Sequence, residues 1–151
     1  MKNLLLILAF FLPFVGICQS TNYEAQYRPL VDKFIEVYDN GNLNLVDEIY
    51  AANAVRHSDK DYKGPEEIKK QIARTREAFP NGNIKLEKAI YTADKVVFHW
   101  IASGTIKATG ETIQVEGVSF FTIANGKVID DWVISDFMSG YRKLGYKMVK
   151  E

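Results

Sequence analysis

The sequence has one cysteine, four prolines, two histidines and no excess charge of either sign. The cysteine, Cys18, falls in the N-terminal apolar run, so no disulfide can staple residues 19–151 and their own core must hold them. Nineteen basic side chains are interspersed with nineteen acidic ones, which leaves no electrostatic basis for binding nucleic acid or an anionic membrane. The histidines stand in no metal-ligand spacing, so no dedicated zinc or iron centre and no cofactor are expected. A glycine-rich phosphate loop and a nucleophile elbow are both missing.

One long apolar run is present, and it opens the chain. Lys2 precedes Leu4 to Val15, all apolar, and then small residues at Gly16 and Cys18. This pattern reads as a secretory signal peptide, too short for a comfortable membrane span, with cleavage after Cys18. Lipidation of Cys18 ranks second, because Ile17 stands where a lipoprotein signal wants a small residue. A buried helix ranks last, because Leu4 to Leu12 offers no polar face. Cleavage removes Lys2 and leaves residues 19–151 with one acid in excess. The expectation is one secreted or periplasmic domain with no membrane attachment.

Helical spacing comes first in that domain. Tyr27, Leu30, Val31, Phe34, Val37 and Tyr38 form a stripe that ends at Gly41. Residues 43–50 read as a short second helix. A third opens at Gly64-Pro65 with acids in its first turn, carries Ile68, Ile72 and Phe79, and ends at Pro80-Asn81-Gly82. Four strands follow, at about 83–92, 95–108, 111–124 and 127–138, the last two joined by the hairpin signal Asn125-Gly126. Helices first and a meander second predict an α+β fold with the helices on one face of a curved antiparallel sheet.

Alternation along strands then assigns faces. A two-residue turn at Asn125-Gly126 pairs Ile123 with Val128, Ser119 with Trp132 and Val115 with Asp136. The same rule at Thr109-Gly110 pairs Trp100 with Ser119 and Ala102 with Gly117. One face collects Phe98, Trp100, Ser119, Phe121, Trp132, Ile134 and Asp136 around small residues, a hollow with apolar walls and one acid. The other collects His99, Ile101, Glu116, Val118, Phe120, Asp131, Val133 and Ser135, a mixed surface suited to solvent or to the partner of a homodimer. A single bulge would exchange the faces beyond it.

Three stretches, "RHSDKDYKGPEEIKKQIARTREAFPN", "VVFHWIASGT" and "GVSFFTIANGKVIDDWVISDFMSGYRKLG", resemble the SnoaL-like polyketide cyclase or ester cyclase branch of the NTF2-like superfamily. The similarity covers about residues 25–147. It implies an NTF2-like, cone-shaped barrel whose sheet wraps a pocket closed by the helices. It also implies an acid/base role for Asp136 and a place near the pocket for His57. This chain has Ile106 where the family carries a histidine and His99 where an arginine is usual. The superfamily hosts many functions on one scaffold.

An acid in an apolar hollow has a raised pKa and can exchange a proton with a bound molecule, as aldol-type ring closure requires. The alternative is a structural carboxylate bonded to a backbone amide or to a helix-borne tyrosine such as Tyr38. His57 is either an assistant to Asp136 or a surface loop residue. Trp100 and Trp132, with Phe98, Phe121, Ser119, Ile134 and Tyr38, are the expected pocket residues around a small apolar molecule. Two functions stay open, a cofactor-independent cyclase or isomerase and a non-catalytic binding or dimeric scaffold module. A third function, the protein-transport adaptor role known elsewhere in the superfamily, suits an exported chain poorly.

Overall fold

The computed structural model describes residues 22–147 and 149, and the expected signal peptide lies outside them. Helix α1 (Tyr23–Asn40) buries Tyr27, Leu30, Val31, Phe34 and Val37, the stripe its spacing predicts. Asn22 caps its start by accepting from the Ala25 amide, and Gly41 closes its end at φ 76°. Helix α2 (Leu45–Ile49) buries Val46 and Ile49. No helix among the described residues is long and apolar enough to cross a membrane.

After α2 the structure departs from the sequence reading. Tyr50–His57 form strand β1 and Asp61–Lys63 form β2, where a helix running to Tyr50 and a loop at His57 are expected. "AANA" has little strand preference, so the strand comes from pairing with a distant segment rather than from local propensity. Helix α3 (Gly64–Ala78) starts with Pro65 in its first turn and buries Ile68 and Ile72. Then come β3 (Asn83–Tyr91), β4 (Lys95–Thr105), β5 (Thr112–Ala124) and β6 (Lys127–Ser135). The chain past Asp136 is not strand: Phe137–Lys143 turns into helix α4.

The sheet has six strands in the order β2-β1-β6-β5-β4-β3. It is mixed and open: β1 runs parallel to β6, and the other neighbours are antiparallel. The expected all-antiparallel sheet is corrected by that one parallel pair, which the missed strand β1 supplies. The helices pack on its concave face. Phe34 of α1 meets Phe98 and Phe121 edge-on at 5.4 and 5.6 Å, and these two rings stand 5.0 Å apart. Full burial of each such ring is worth about 1.5–3 kcal/mol.

Two registers differ from expectation, with different consequences. Trp100 faces Gly117 across the ladder, not Ser119, because the β4–β5 connection is longer than two residues. A two-residue slip keeps every side chain on its face. In the β5–β6 hairpin Asn125 and Gly126 take φ 52° and 75°, and Ile123 faces Val128 as expected. The next pair, however, is Thr122 with Asp130, so Ile129 is an extra residue in β6. That bulge exchanges the faces of everything beyond it. Asp131, Val133 and Ser135 turn inward, and Trp132 and Ile134 turn outward, 51 % and 62 % exposed.

Candidate functional site

Between the helices and the concave sheet lies a cavity of about 770 Å³. Its sheet side is apolar, built by Trp100 and Ala102 of β4, Ile113 and Val115 of β5, Val133 of β6 and Phe137 of α4. Its other side is polar, with Tyr38 from α1, Arg56 from β1, and Gln71, Arg74 and Arg76 from α3. Trp100 is held by two neighbours. Its indole N–H donates to Ser119 Oγ at 3.0 Å, and its ring lies over Gly117, where any Cβ would collide with it.

The buried acid of this fold is Asp131, not Asp136. Asp131 is fully buried and accepts from Arg56 Nη1 at 2.9 Å and from the Tyr50 hydroxyl at 2.6 Å. Arg56 Nη2 donates to the Tyr38 hydroxyl at 2.8 Å, which carries the network to the cavity wall. Burial pushes the Asp131 carboxyl above its usual range, against the pull of Arg56 and Tyr50. Burial also works against the Arg56 charge, but Tyr38, Asp131 and Tyr50 outweigh it, so the guanidinium stays protonated. Burial raises both phenols, Tyr38 and Tyr50. Arg56 Nε and Asp131 Oδ1 have no hydrogen-bond partner, so the pair rests on its mutual attraction and on the Tyr38 and Tyr50 hydroxyls.

Asp136 stands elsewhere. It is the N-cap of α4, accepting from the Ser139 amide at 2.9 Å and the Ser139 hydroxyl at 2.5 Å. Those two bonds hold its carboxyl below the usual range, the reverse of the expected rise. Asp136 is exposed and is not among the cavity-lining residues, although Ser135 and Phe137 on either side of it are.

His57 also lies outside the cavity. It is on the outer face of β1, stacked on Trp132 with ring centres 4.1 Å apart and planes 20° from parallel. Its Nδ1 meets Asp61 Oδ1 at 2.7 Å and its Nε2 meets Asp130 Oδ1 at 3.0 Å. A ring that donates to two carboxylates is an imidazolium. Partial burial lowers its pKa, but the bonds to Asp61 and Asp130 raise it by more.

Of the expected pocket residues, Trp100 and Tyr38 line the cavity. Ile134 borders it while its exposed side chain belongs to the outer face. Phe98, Phe121 and Ser119 are buried in the core beside it, and Trp132 has moved to the outer face. Arg56 and Asp131 are the residues that sequence reasoning missed. The one available signal was "RH" at 56–57, an arginine that alternation places opposite His57 once β1 is recognised as a strand. Among the described residues no group of three or more His, Cys, Asp or Glu could hold a metal ion.

An open curved sheet with helices closing a cavity on its concave side defines an NTF2-like fold, and the comparisons agree. The model of the SnoaL-like polyketide cyclase family matches residues 29–144, and the chain belongs to that family. Among solved structures, TsrD from Streptomyces laurentii aligns with a TM-score of 0.74 and 21 % identity, over 80 % of this chain and 96 % of its own. IdmH from Streptomyces antibioticus aligns at 0.71 and 21 %, over 80 % of this chain and 99 % of its own. A protein of ketosteroid isomerase-like fold from Catenulispora acidiphila, solved with trimethylamine, aligns at 0.71 and 19 %, over 78 % and 93 %. At these identities the likeness is one of fold. No curated protein matches the sequence.

Proposed function

We propose that this chain binds a small, largely apolar molecule in the cavity between α1, α3 and the sheet. The observation that carries this reading is the cavity itself: about 770 Å³, apolar on the sheet side, with a few polar groups along one wall. Those are the dimensions and chemistry of a small-molecule site. The test is titration with Nile red, a neutral apolar dye, alongside native mass spectrometry for molecules that copurify. Wild type should bind the dye saturably. Ala102→Leu, which adds bulk on the sheet wall without touching Arg56, should weaken binding by about tenfold or more. Saturable binding that Ala102→Leu leaves unchanged places the molecule elsewhere.

The second reading is cofactor-independent acid/base chemistry of the cyclase or isomerase kind. It is favoured by family membership and by the place of Asp136 between two cavity-lining residues. For that role Asp136 would have to leave Ser139 and turn inward, at the expense of the α4 cap. His57 would act only indirectly, since it faces the other side of the sheet. Asp136→Asn should keep the fold, because asparagine also caps helices, and should abolish turnover of any substrate found. Turnover that survives Asp136→Asn assigns the chemistry to another group.

Export by the N-terminal run and a homodimer through the outer sheet face complete the proposal. The outer face supports the dimer with Phe120, Trp132 and Ile134, at 41 %, 51 % and 62 % exposure.

A further inference from the structure

We propose that the molecule held in the cavity is an organic acid, its apolar body against the sheet and its carboxylate at Arg74. This inference rests on the binding reading above and names the chemical class of its ligand. The cavity is two-sided, and its polar side is unequally charged. Arg56, Arg74 and Arg76 line it, with Asp59 the one acid among the lining residues. The Arg56 charge is already matched by Asp131 at 2.9 Å.

Arg74 and Arg76 enter no ion pair among the described residues. Arg76 donates to the Tyr38 carbonyl oxygen. Arg74 makes one hydrogen bond, from Nη2 to the Tyr62 hydroxyl at 3.0 Å, with its guanidinium carbon 5.7 Å from the centre of that ring. Its other donors are uncommitted, on an exposed side chain that also borders the cavity.

Asp59 is the opposing charge on this wall, and its carboxylate is engaged within the protein. Its Oδ1 accepts from the Ser58 hydroxyl at 2.9 Å, and its two oxygens accept from the Tyr62 hydroxyl at 2.9 and 3.1 Å. Lys60 adds a further cation 5.2 Å from the centre of the Tyr62 ring. A free guanidinium beside a low-dielectric cavity favours a carboxylate, which can take two parallel hydrogen bonds from it. The apolar wall of Trp100, Ala102 and Val115 favours a hydrocarbon chain or ring at the other end.

The experiment is displacement of Nile red from the purified protein at neutral pH by octanoate and by octanol, which share an alkyl chain and differ in charge. Octanoate should displace the dye at a concentration about tenfold lower than octanol. Arg74→Gln, which retains a donor to Tyr62, should bring the two competitors to parity, and Arg74→Lys should restore most of the preference. Equal potency of the two in wild type overturns the inference and leaves the pocket reading standing. So does a preference for octanoate that Arg74→Gln does not alter. Failure of Nile red to bind wild type overturns both.

Discussion

Arg56 and Asp131 lie 2.9 Å apart with their side chains 3 % and 0 % exposed, so each charge depends on the other for what water would supply. Arg56→Met alone leaves the buried carboxylate unpaired and should cost about 3–5 kcal/mol in urea unfolding. Adding Asp131→Leu should recover most of that loss; losses that simply add would show that the two groups act independently.

At the same scale His57 makes a pH prediction. Its folded pKa is raised above the ordinary histidine value of about 6.5 by Asp61 and Asp130, so the stability it contributes is complete below about 6.5 and is lost as pH rises through the folded pKa. NMR titration should find the His57 pKa above 6.5, and Asp61→Asn should lower it. A titration unmoved by that change would contradict the paired imidazolium.

Among the elements, β6 decides the site. One extra residue, Ile129, brings Asp131 into the core and leaves Trp132 outside. Deleting Ile129 should remove the bulge while keeping Thr122 opposite Asp130 and Phe121 opposite Asp131, so that Asp131 stays inward and Trp132 outward. The deletion variant should still unfold cooperatively by circular dichroism with the Trp132 indole exposed, whereas a variant that buries this indole would show that Ile129 is not the extra residue. Strand β5 carries its own constraint: at Gly117 even a methyl group collides with Trp100 of β4. Gly117→Ala should therefore cost about 1–3 kcal/mol and alter the near-ultraviolet signal of the indole.

These elements also explain what the sequence could and could not convey. Helix α1, helix α3 and the Asn125-Gly126 hairpin were legible because periodicity, capping residues and turn chemistry all act locally. Strand β1 was not, since "AANA" becomes strand only against β6. The bulge was not either, because Ile129 looks like any other strand residue and its extra place appears only in the pairing. The buried acid is therefore Asp131, while Asp136 caps α4. The cavity itself survived, because Trp100, Ala102 and Val115 lie before the bulge and keep their face.

Across the whole molecule the sheet separates two surfaces. The concave one holds the cavity and the Arg56–Asp131 pair. The convex one presents a row across the sheet: Ile90 beside Val97, then Phe120, Trp132 and His57. If this face closes a homodimer, Trp132→Lys should shift the protein toward monomer by light scattering after size exclusion, with its circular dichroism unchanged. A wild type that is monomeric at high concentration would remove the dimer from the account. The central claim, that the ligand enters the concave side, has a direct readout because the chain has two tryptophans, one on each surface. NMR spectra recorded while an apolar ligand is added should show the Trp100 indole N–H resonance shifting and that of Trp132 staying in place. Movement of the Trp132 signal alone, or of neither, would contradict it.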